Sequence, residues 1–165
     1  SFTHNFFLAF FDSRQGNSVT IHTEEHQDYR GKLIGGGEYF EWIEGNGIKY
    51  DLKGRRVLVN AGLFKIDQSI RTPKPLIFSS GRRTDNRMLN GSFERNFNIL
   101  KYTSLVEFIN IRYEPNNCCH PVSGEMHLKF TGKNQGTAKV KFNGCRSAEI
   151  EFSERNIEVQ LAECR

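Results

Sequence analysis

Four stretches in the C-terminal part of the chain decide the fold: "MHLKF" at residues 126–130, "AKVKF" at 138–142, "AEIEF" at 148–152 and "IEVQL" at 157–161. In each stretch apolar side chains alternate with charged or polar ones, which is the period of a β-strand with one dry face. Turn residues separate the stretches, so neighbouring strands can pair antiparallel. The pattern predicts an all-β fold, an antiparallel meander that forms a sandwich, a barrel or a folded half-barrel.

The connection between the second and third of these strands limits their register. A two-residue Asn143–Gly144 turn would move Ile150 onto the face that carries the lysines, because a shift of one residue exchanges the two faces of a strand. We therefore predict a three-residue loop with a bulge, in which Gly144 lies in or near the left-handed region. That register places Lys139 opposite Glu149 as a cross-strand charge pair on a solvated face.

Glycine, proline and asparagine occur at short intervals along all 165 residues, which leaves little room for helices. The intervals predict about ten to thirteen short strands in a single domain that spans residues 1–165. The stretches 69–72 and 86–89 are the best helix candidates, and each allows a single turn at most.

Two further stretches predict strands before the meander. "YTSLVEFINIRY", residues 102–113, is apolar at odd and even positions, as expected of a central strand covered on both faces. "GSFERNFNIL", residues 91–100, alternates instead. There we expect one apolar side and one polar side, formed respectively by Phe93, Phe97 and Ile99 and by Glu94, Asn96 and Asn98.

All four cysteines lie in the last third of the chain, at Cys118, Cys119, Cys145 and Cys164. Adjacent side chains of an extended segment point to opposite faces, so we expect Cys118 and Cys119 to reach different partners, Cys145 and Cys164. Each such disulfide is worth about 3–4 kcal/mol and implies an oxidising compartment. The alternative is a zinc site that uses His120, but structural zinc sites usually space their cysteines by about two to four residues.

The stretch "NCCHPVSGEMHLKF", followed by "GTAKVKFNGC" and "AEIEF", resembles the C-terminal regions of exported bacterial proteins, many of them lipoproteins of predatory or gliding Gram-negative bacteria. In these proteins Cys-x-Pro-x-Ser-Gly opens a run of short strands, and a second cysteine follows an Asn-Gly-type turn. The resemblance covers residues 90–164, under half of the chain. It implies export to the periplasm or the cell surface, and it brings no particular activity with it.

Other features of the chain agree with export. The most apolar run, "FFLAFF" at residues 6–11, is too short to cross a membrane as a helix. Because the chain begins at Ser1 rather than Met, we expect either that a signal segment has been removed or that the chain is an excised piece. We predict a periplasmic, surface-anchored or extracellular protein without a transmembrane segment.

Residues 22–26, "HTEEH", fit the inverted zinc-protease motif formally. That chemistry needs a helix, so that His22 and His26 lie one turn apart with Glu25 as the general base. The preceding "NSVTI" indicates a strand, and "GKLIGGG" follows closely. We therefore favour a solvated loop between strands, with metal binding by His22, Glu25 and His26 as the alternative.

The stretch "GEYFEWIEG", residues 37–45, is rich in aromatic residues beside glutamates. In a strand Phe40 and Trp42 share one face, whereas Tyr39 lies on the other. We expect Trp42 to belong to the core. If Trp42 is exposed instead, it and Tyr39 are candidate ligand-binding residues, since an amphipathic ring can stack on a sugar.

The net charge of +4 is unevenly distributed. Residues 1–46 carry 3 basic and 7 acidic side chains, whereas residues 47–101 carry 12 and 4. The basic segment can bind a polyanion, or it can lie beside the acidic segment and neutralise it, which is the interpretation we favour. We expect no nucleic-acid partner for an exported protein. The candidate anion-binding side chains are Lys53, Arg55 and Arg56, and then Arg82, Arg83 and Arg87.

The sequence predicts no catalytic residue and no cofactor, since it contains neither a Gly-x-Ser-x-Gly elbow nor a P-loop. We expect an exported cell-envelope or surface interaction module, with an envelope protein, a glycan or a lipid as its partner. The alternative is a module that binds a glycan or a lipid through exposed aromatic side chains. A zinc-dependent hydrolase at the histidine motif is the least favoured hypothesis.

Overall fold

The computed structural model describes most of the chain, with side chains described from residue 20 onward. Arg82, Arg83 and Cys164 lie outside the described residues, so the structure does not address their predicted roles. The described residues are 2–3, 8–12, 17–43, 47–79, 87–114, 118–153 and 155–163.

Strands and turns make up the described residues, which contain no helix. The all-β prediction is confirmed. The helical turns expected at 69–72 and 86–89 are wrong, because residues 69–71 and 88–90 pair as strands across the sheet. The strands are β1 (Phe2–Thr3), β2 (Leu8–Asp12), β3 (Asn17–His22), β4 (His26–Gln27), β5 (Leu33–Ile34), β6 (Gly37–Ile43), β7 (Gly47–Ala61), β8 (Phe64–Arg71), β9 (Leu76–Ser79), β10 (Arg87–Phe97), β11 (Tyr102–Tyr113), β12 (Pro121–Gly132), β13 (Gly136–Asn143), β14 (Ser147–Phe152) and β15 (Arg155–Gln160).

Thirteen strands form one antiparallel sheet whose main path is β1-β6-β7-β8-β10-β11-β12-β13-β14-β15. Strands β8 and β9 lie one after the other between the long strands β7 and β10, each pairing with one half of both. Strand β3 also pairs with β7 and carries β2, and β4 and β5 form a separate pair. Among the described strands β15 pairs only with β14, so the sheet is open rather than a closed barrel.

Strand β7 contains one extra residue. Its register against β6 shifts between Gly37 and Glu38, so that Lys53 has no opposite residue in β6. Successive side chains of a strand point to opposite faces. The extra residue therefore changes which face the even-numbered side chains of β7 point to: they lie on one face before the bulge and on the other face after it. Tyr50 therefore lies on the apolar face of the sheet, whereas Arg56 lies on the polar face.

The apolar core lies on one face of the sheet, which we call the core face. Its buried centre comes from β10, β11, β13 and β14. The period-two pattern predicted for β13 and β14 is confirmed, because Phe142 and Ala148 lie directly opposite each other there. The buried residues are Leu89, Ile111, Phe142 and Ala148, and the half-buried residues packed against them are Leu76, Phe78, Phe108, Tyr113, Met126, Val140 and Leu161.

The loop between β13 and β14 has three residues, as predicted, and begins with Gly144 at a φ of 114°. Strand β13 extends to Asn143, because this residue still pairs with β12. The loop therefore starts one residue later than expected, and Lys139 lies opposite Glu151. The predicted pairing of Lys139 with Glu149 is wrong by two residues, an even shift that keeps every side chain on its predicted face.

A disulfide joins Cys118, before β12, to Cys145 in the β13–β14 loop, with their Cα atoms 5.7 Å apart. Cys119 is also disulfide-bonded, so the two neighbouring cysteines have different partners, as predicted. The zinc alternative therefore lacks the thiolates of Cys118 and Cys145. The disulfide fixes the loop beside the buried centre of the core face, since Phe142 lies only three positions before Cys145.

Strand β10 alternates as predicted, with Phe93 and Phe97 on one side and Glu94 and Asn96 on the other. Its polar side chains Ser92, Glu94 and Asn96 are buried, whereas Phe93 and Phe97 are half-exposed. The residues do alternate, but the polar face is the better covered one. Strand β11 is central, paired with β10 and β12, yet most of its side chains are only half-buried. The expectation that β11 is covered on both faces is therefore wrong.

Candidate functional site

A polar layer covers the face of the sheet opposite the core face. The segment 23–36 folds over β8, β10 and β11 there. Arg30 donates to both Asp28 (2.6 Å) and Asn96 (3.1 Å). Arg71 and Glu94 form a two-bonded ion pair, with N–O distances of 2.7 and 3.0 Å. These contacts explain why the polar side of β10 is buried.

A second ion pair extends the polar layer along β7 and β8. Arg56 contacts Asp67 through two bonds of 3.0 and 2.7 Å. Asn98 donates to the same carboxylate at 2.7 Å and accepts the backbone N–H of Tyr29 at 3.0 Å. The segment 23–36 is thus held to the sheet by backbone as well as side-chain hydrogen bonds.

The carboxylates of this layer are fixed in the charged form. Burial alone would raise the pKa of Glu94, but hydrogen bonding and charge from Arg71 outweigh it, and the pKa lies below its ordinary value. Burial opposes ionisation of Asp67 in the same way, and hydrogen bonds from Arg56 and Asn98 lower its pKa. Ionised, paired carboxylates have no proton to donate near neutral pH, so the polar layer is an anchor for the loop rather than an acid–base site.

The histidine motif lies between two strands of the described chain. His22 ends β3 and His26 begins β4, with Glu24 and Glu25 exposed between them. The ring nitrogen Nδ1 of His26 lies 3.0 Å from the carbonyl oxygen of Glu24. The segment is a loop, as predicted, and it lacks the helical turn that zinc-protease chemistry requires.

The aromatic side chains of β6 are the most exposed aromatic residues in their part of the sheet. Trp42 is 64% exposed and Phe40 is 46% exposed. The expectation that Trp42 belongs to the core is therefore wrong, and the alternative of an exposed ring is correct. In the described part of the chain, β6 has β7 on one side and the two-residue strand β1 on the other, which pairs with Tyr39 and Phe40 and does not reach Trp42.

Phe40 lines an open groove on the core face between β6, β7 and β9. The register brings three side chains of neighbouring strands into one row, Phe40, Tyr50 and Leu76. Trp42, Ile48 and Phe78 form the next row. The cavity has a volume of about 480 Å³ and is lined by Glu38, Phe40, Ile48, Tyr50, Leu76, Phe78 and Arg87.

Glu38, a charged side chain of the groove, is engaged by its neighbours. It forms an ion pair with Arg55 and lies beside Tyr50. Burial, followed by the interaction with Glu38, raises the pKa of Tyr50, so its phenol stays protonated near neutral pH. The rings of Phe40 and Tyr50 lie 4.8 Å apart, which leaves the apolar surface of the groove continuous.

The floor of the groove belongs to the core. Leu76 and Phe78 pack against the buried cluster around Leu89 and Ile111. The groove is therefore the open end of the core face, where no described strand covers the apolar side chains. Its shape is set by packed residues, which favours a preformed site.

The structure separates the predicted site residues. Trp42 flanks the groove and Arg55 borders it through Glu38, whereas Tyr39 lies on the opposite face of β6. Arg56 belongs to the polar layer at the other half of β7 and is held by Asp67. Five residues of the groove were not predicted from the sequence as site residues: Phe40, Ile48, Tyr50, Leu76 and Phe78. The alternation in "GIKYDL", residues 47–52, was the available signal.

A second cavity of about 370 Å³ lies on the charged face of the meander, beside Glu107, His127 and Lys139. Lys139 and His127 both contact Glu125, at 3.0 and 3.1 Å. These side chains form the solvated charged face that the alternating pattern predicts. The lining of this cavity mixes charged side chains with Leu105, Leu128 and Ala138, whereas the groove is lined mainly by aromatic and aliphatic side chains.

Comparison with protein-family models, curated proteins and solved structures finds no match to this chain. Function is therefore argued from the groove itself. The described residues also contain no helix long and apolar enough to span a bilayer.

Proposed function

We propose that this protein is an exported binding module that holds the apolar part of a lipid-like ligand in the groove between β6, β7 and β9, without catalysing a reaction. The observation that carries the proposal is the open apolar cavity lined by the exposed ring of Phe40, with the exposed ring of Trp42 opposite the lining residue Ile48. Its volume of about 480 Å³ lies within the usual range for small-molecule sites, roughly 300–1,000 Å³.

The chemistry of the lining favours an acyl chain over a sugar. A sugar ring needs several hydrogen-bond partners in addition to a stacking ring. Glu38 is already held by Arg55 and Tyr50, and the central rows of the groove are hydrocarbon and aromatic surface. An apolar chain makes no hydrogen-bond demand and covers that surface directly.

The size of the site limits the affinity that it can reach. At about 0.3 kcal/mol per non-hydrogen atom, a ligand of about 18 such atoms binds with about 5 kcal/mol, or a Kd on the order of 100 µM.

The Cys118–Cys145 disulfide supports the export part of the proposal, because disulfides form and persist in oxidising compartments.

A chain-length series tests the proposal. Trp42 is the only tryptophan, so its emission reports on one border of the groove. Titration with n-alkyl glucosides below their micelle concentrations should shift this emission to shorter wavelength. Each added methylene should tighten binding about fourfold, the equivalent of about 0.8 kcal/mol. Glucose alone, without the chain, should give no shift.

Matched variants assign the binding to the groove. Phe40→Ser removes an exposed ring at the groove, whereas Phe64→Ser removes an exposed ring at the opposite end of β7. We expect the first to weaken binding of the longest glucoside at least tenfold and the second to leave it unchanged. A response to glucose equal to that of its alkyl derivatives would instead support a glycan site and contradict an apolar-chain site.

A further inference from the structure

Four large apolar side chains project from two neighbouring hairpin tips, and we call them the hairpin-tip patch. Leu63 and Phe64 in the β7–β8 turn are 107% and 61% exposed. Ile99 and Leu100 in the β10–β11 turn are 52% and 55% exposed. Turns of this kind usually carry polar residues, and single exposed apolar residues are common, but four at one end of a sheet form a patch.

The two tips lie at the same end of the sheet. Strand β8 pairs antiparallel with both β7 and β10, so β7 and β10 run in the same direction and their following turns share one edge. Gln68 lies opposite Phe97, and the backbone N–H of Asn98 donates to the carbonyl of Asp67 at 2.9 Å. The tips are therefore neighbours, with the β7–β8 turn extending further.

Three exposed lysines surround the patch. Lys65 follows Phe64, and Lys101 follows Leu100. Lys133, at the next hairpin tip, donates its backbone N–H to the carbonyl of Lys101 at 2.9 Å. The three described tips, residues 61–65, 98–102 and 132–136, contain no acidic side chain. These three tips thus combine apolar surface with positive charge, and among the described residues Asp12, at the neighbouring end of β2, is the acidic residue that the register places beside the end of β7.

We propose that this end of the sheet docks on an anionic lipid bilayer, with the hairpin-tip patch in the headgroup region and the three lysines beside lipid phosphates. Protein interfaces are depleted in lysine, whereas an anionic membrane surface attracts it. Apolar side chains flanked by lysines are also the pattern of segments that lie in the membrane interface. The charge complementarity therefore favours a bilayer over a protein partner.

Vesicle co-sedimentation tests the docking. The protein should bind vesicles of 70% phosphatidylcholine and 30% phosphatidylglycerol more tightly than vesicles of phosphatidylcholine alone. Lys65→Gln/Lys133→Gln should weaken binding to the anionic vesicles about 25-fold, at about fivefold per lysine near the surface. The control Lys49→Gln/Lys53→Gln makes the same charge change far from the tips and should leave binding unchanged.

A separate variant tests the contribution of the apolar side chains to membrane binding. Leu63→Ser/Phe64→Ser should weaken binding to both kinds of vesicle at least tenfold, because each side chain loses burial in the interface. Both side chains are exposed, so the fold should be unaffected, which thermal unfolding will check. Ile77→Thr, an exposed position outside the patch, is the matched control and should bind as the wild type does.

Trp42 distinguishes this docking from insertion of the groove. Its partner residue Ile48 and the tip residue Ala61 lie at opposite ends of β7. Docking through the tips keeps Trp42 away from the bilayer, so Phe40→Ser should not alter vesicle binding. A shift of Trp42 emission that Phe40→Ser removes without a loss of vesicle binding reports a lipid chain in the groove and leaves the docking proposal intact. Loss of vesicle binding in Phe40→Ser, equal binding by Leu63→Ser/Phe64→Ser and the wild type, or no binding of the wild type to anionic vesicles would each overturn the proposal. The last two results do not depend on whether the groove binds an alkyl chain.

Discussion

The Arg71–Glu94 ion pair makes the polar layer testable through a single isosteric change. Glu94→Gln keeps the shape of the side chain and removes its charge. One of the two charge-assisted hydrogen bonds then becomes an ordinary one, about half as strong, and the other is lost because the amide NH2 group cannot accept from Arg71. Arg30, 3.8 Å away, loses a charge partner as well. Breaking a fully buried pair costs about 3–5 kcal/mol. Arg71 is partly accessible to water, so we expect about 2 kcal/mol.

Urea unfolding followed by far-ultraviolet circular dichroism measures this loss. With a slope of about 2 kcal/mol per molar urea, the midpoint of Glu94→Gln should fall by about 1 M relative to wild type. The matched control is Glu107→Gln, which breaks the ion pair with Lys74 on the exposed part of the same face. Exposed pairs are worth little, and we expect its midpoint to stay within about 0.25 M of wild type.

The dependence on pH has a definite sign. The pKa of Glu94 is lowered in the folded state, so its ionised form adds stability at pH values above the unfolded-state pKa of about 4.3. That stability is lost as the pH falls through the lower folded-state pKa. The difference between wild type and Glu94→Gln should therefore shrink below about pH 4. Equal midpoints for Glu94→Gln and Glu107→Gln at pH 7, or a difference that persists undiminished at pH 3, would refute this account of the polar layer.

Two further predictions concern the fold. Replacing Cys118 and Cys145 by serine opens a loop with a sequence separation of 27 residues, and differential scanning calorimetry should show a loss of about 3.5 kcal/mol, whereas reductant should no longer lower the melting temperature through this bond. Gly54→Ala places a Cβ atom 1.8 Å from the carbonyl oxygen of Gly35, so it should displace segment 23–36 and speed amide hydrogen exchange there; an unchanged exchange rate would contradict this close contact.

Local pattern was sufficient to predict the meander. Alternation over Ala138–Phe142 and Ala148–Phe152 identified the dry face, and parity required an odd loop between the two strands. The register was still wrong by two residues, because the end of β13 depends on its pairing with β12 through Asn143. The sequence of the turn does not encode the pairing of β13 with β12, so it could not predict which residue lies opposite Lys139.

The local sequence pattern could not predict which face of a strand is covered by another segment. Alternation shows that Phe93 and Glu94 point to opposite sides, but it does not show which side another segment covers. Here the segment 23–36 docks through Arg30 and Asn98 onto the polar side. The prediction for Trp42 was wrong for the same reason, since the sequence does not show which described strands lie beside β6, and β1 does not reach Trp42. The groove is visible only once β6, β7 and β9 are placed together.

The extra residue in β7 makes the strand sensitive to the number of residues between Tyr50 and Arg56. Because Lys53 switches the parity of the strand, Tyr50 faces the apolar cavity and Arg56 faces Asp67, although both have even numbers. Deleting one residue between them would rotate half of the strand by about 180° and send an arginine into hydrocarbon or a phenol into solvent. A single-codon insertion or deletion in this segment would therefore exchange the inside and the outside of half of the strand, whatever residues it carries.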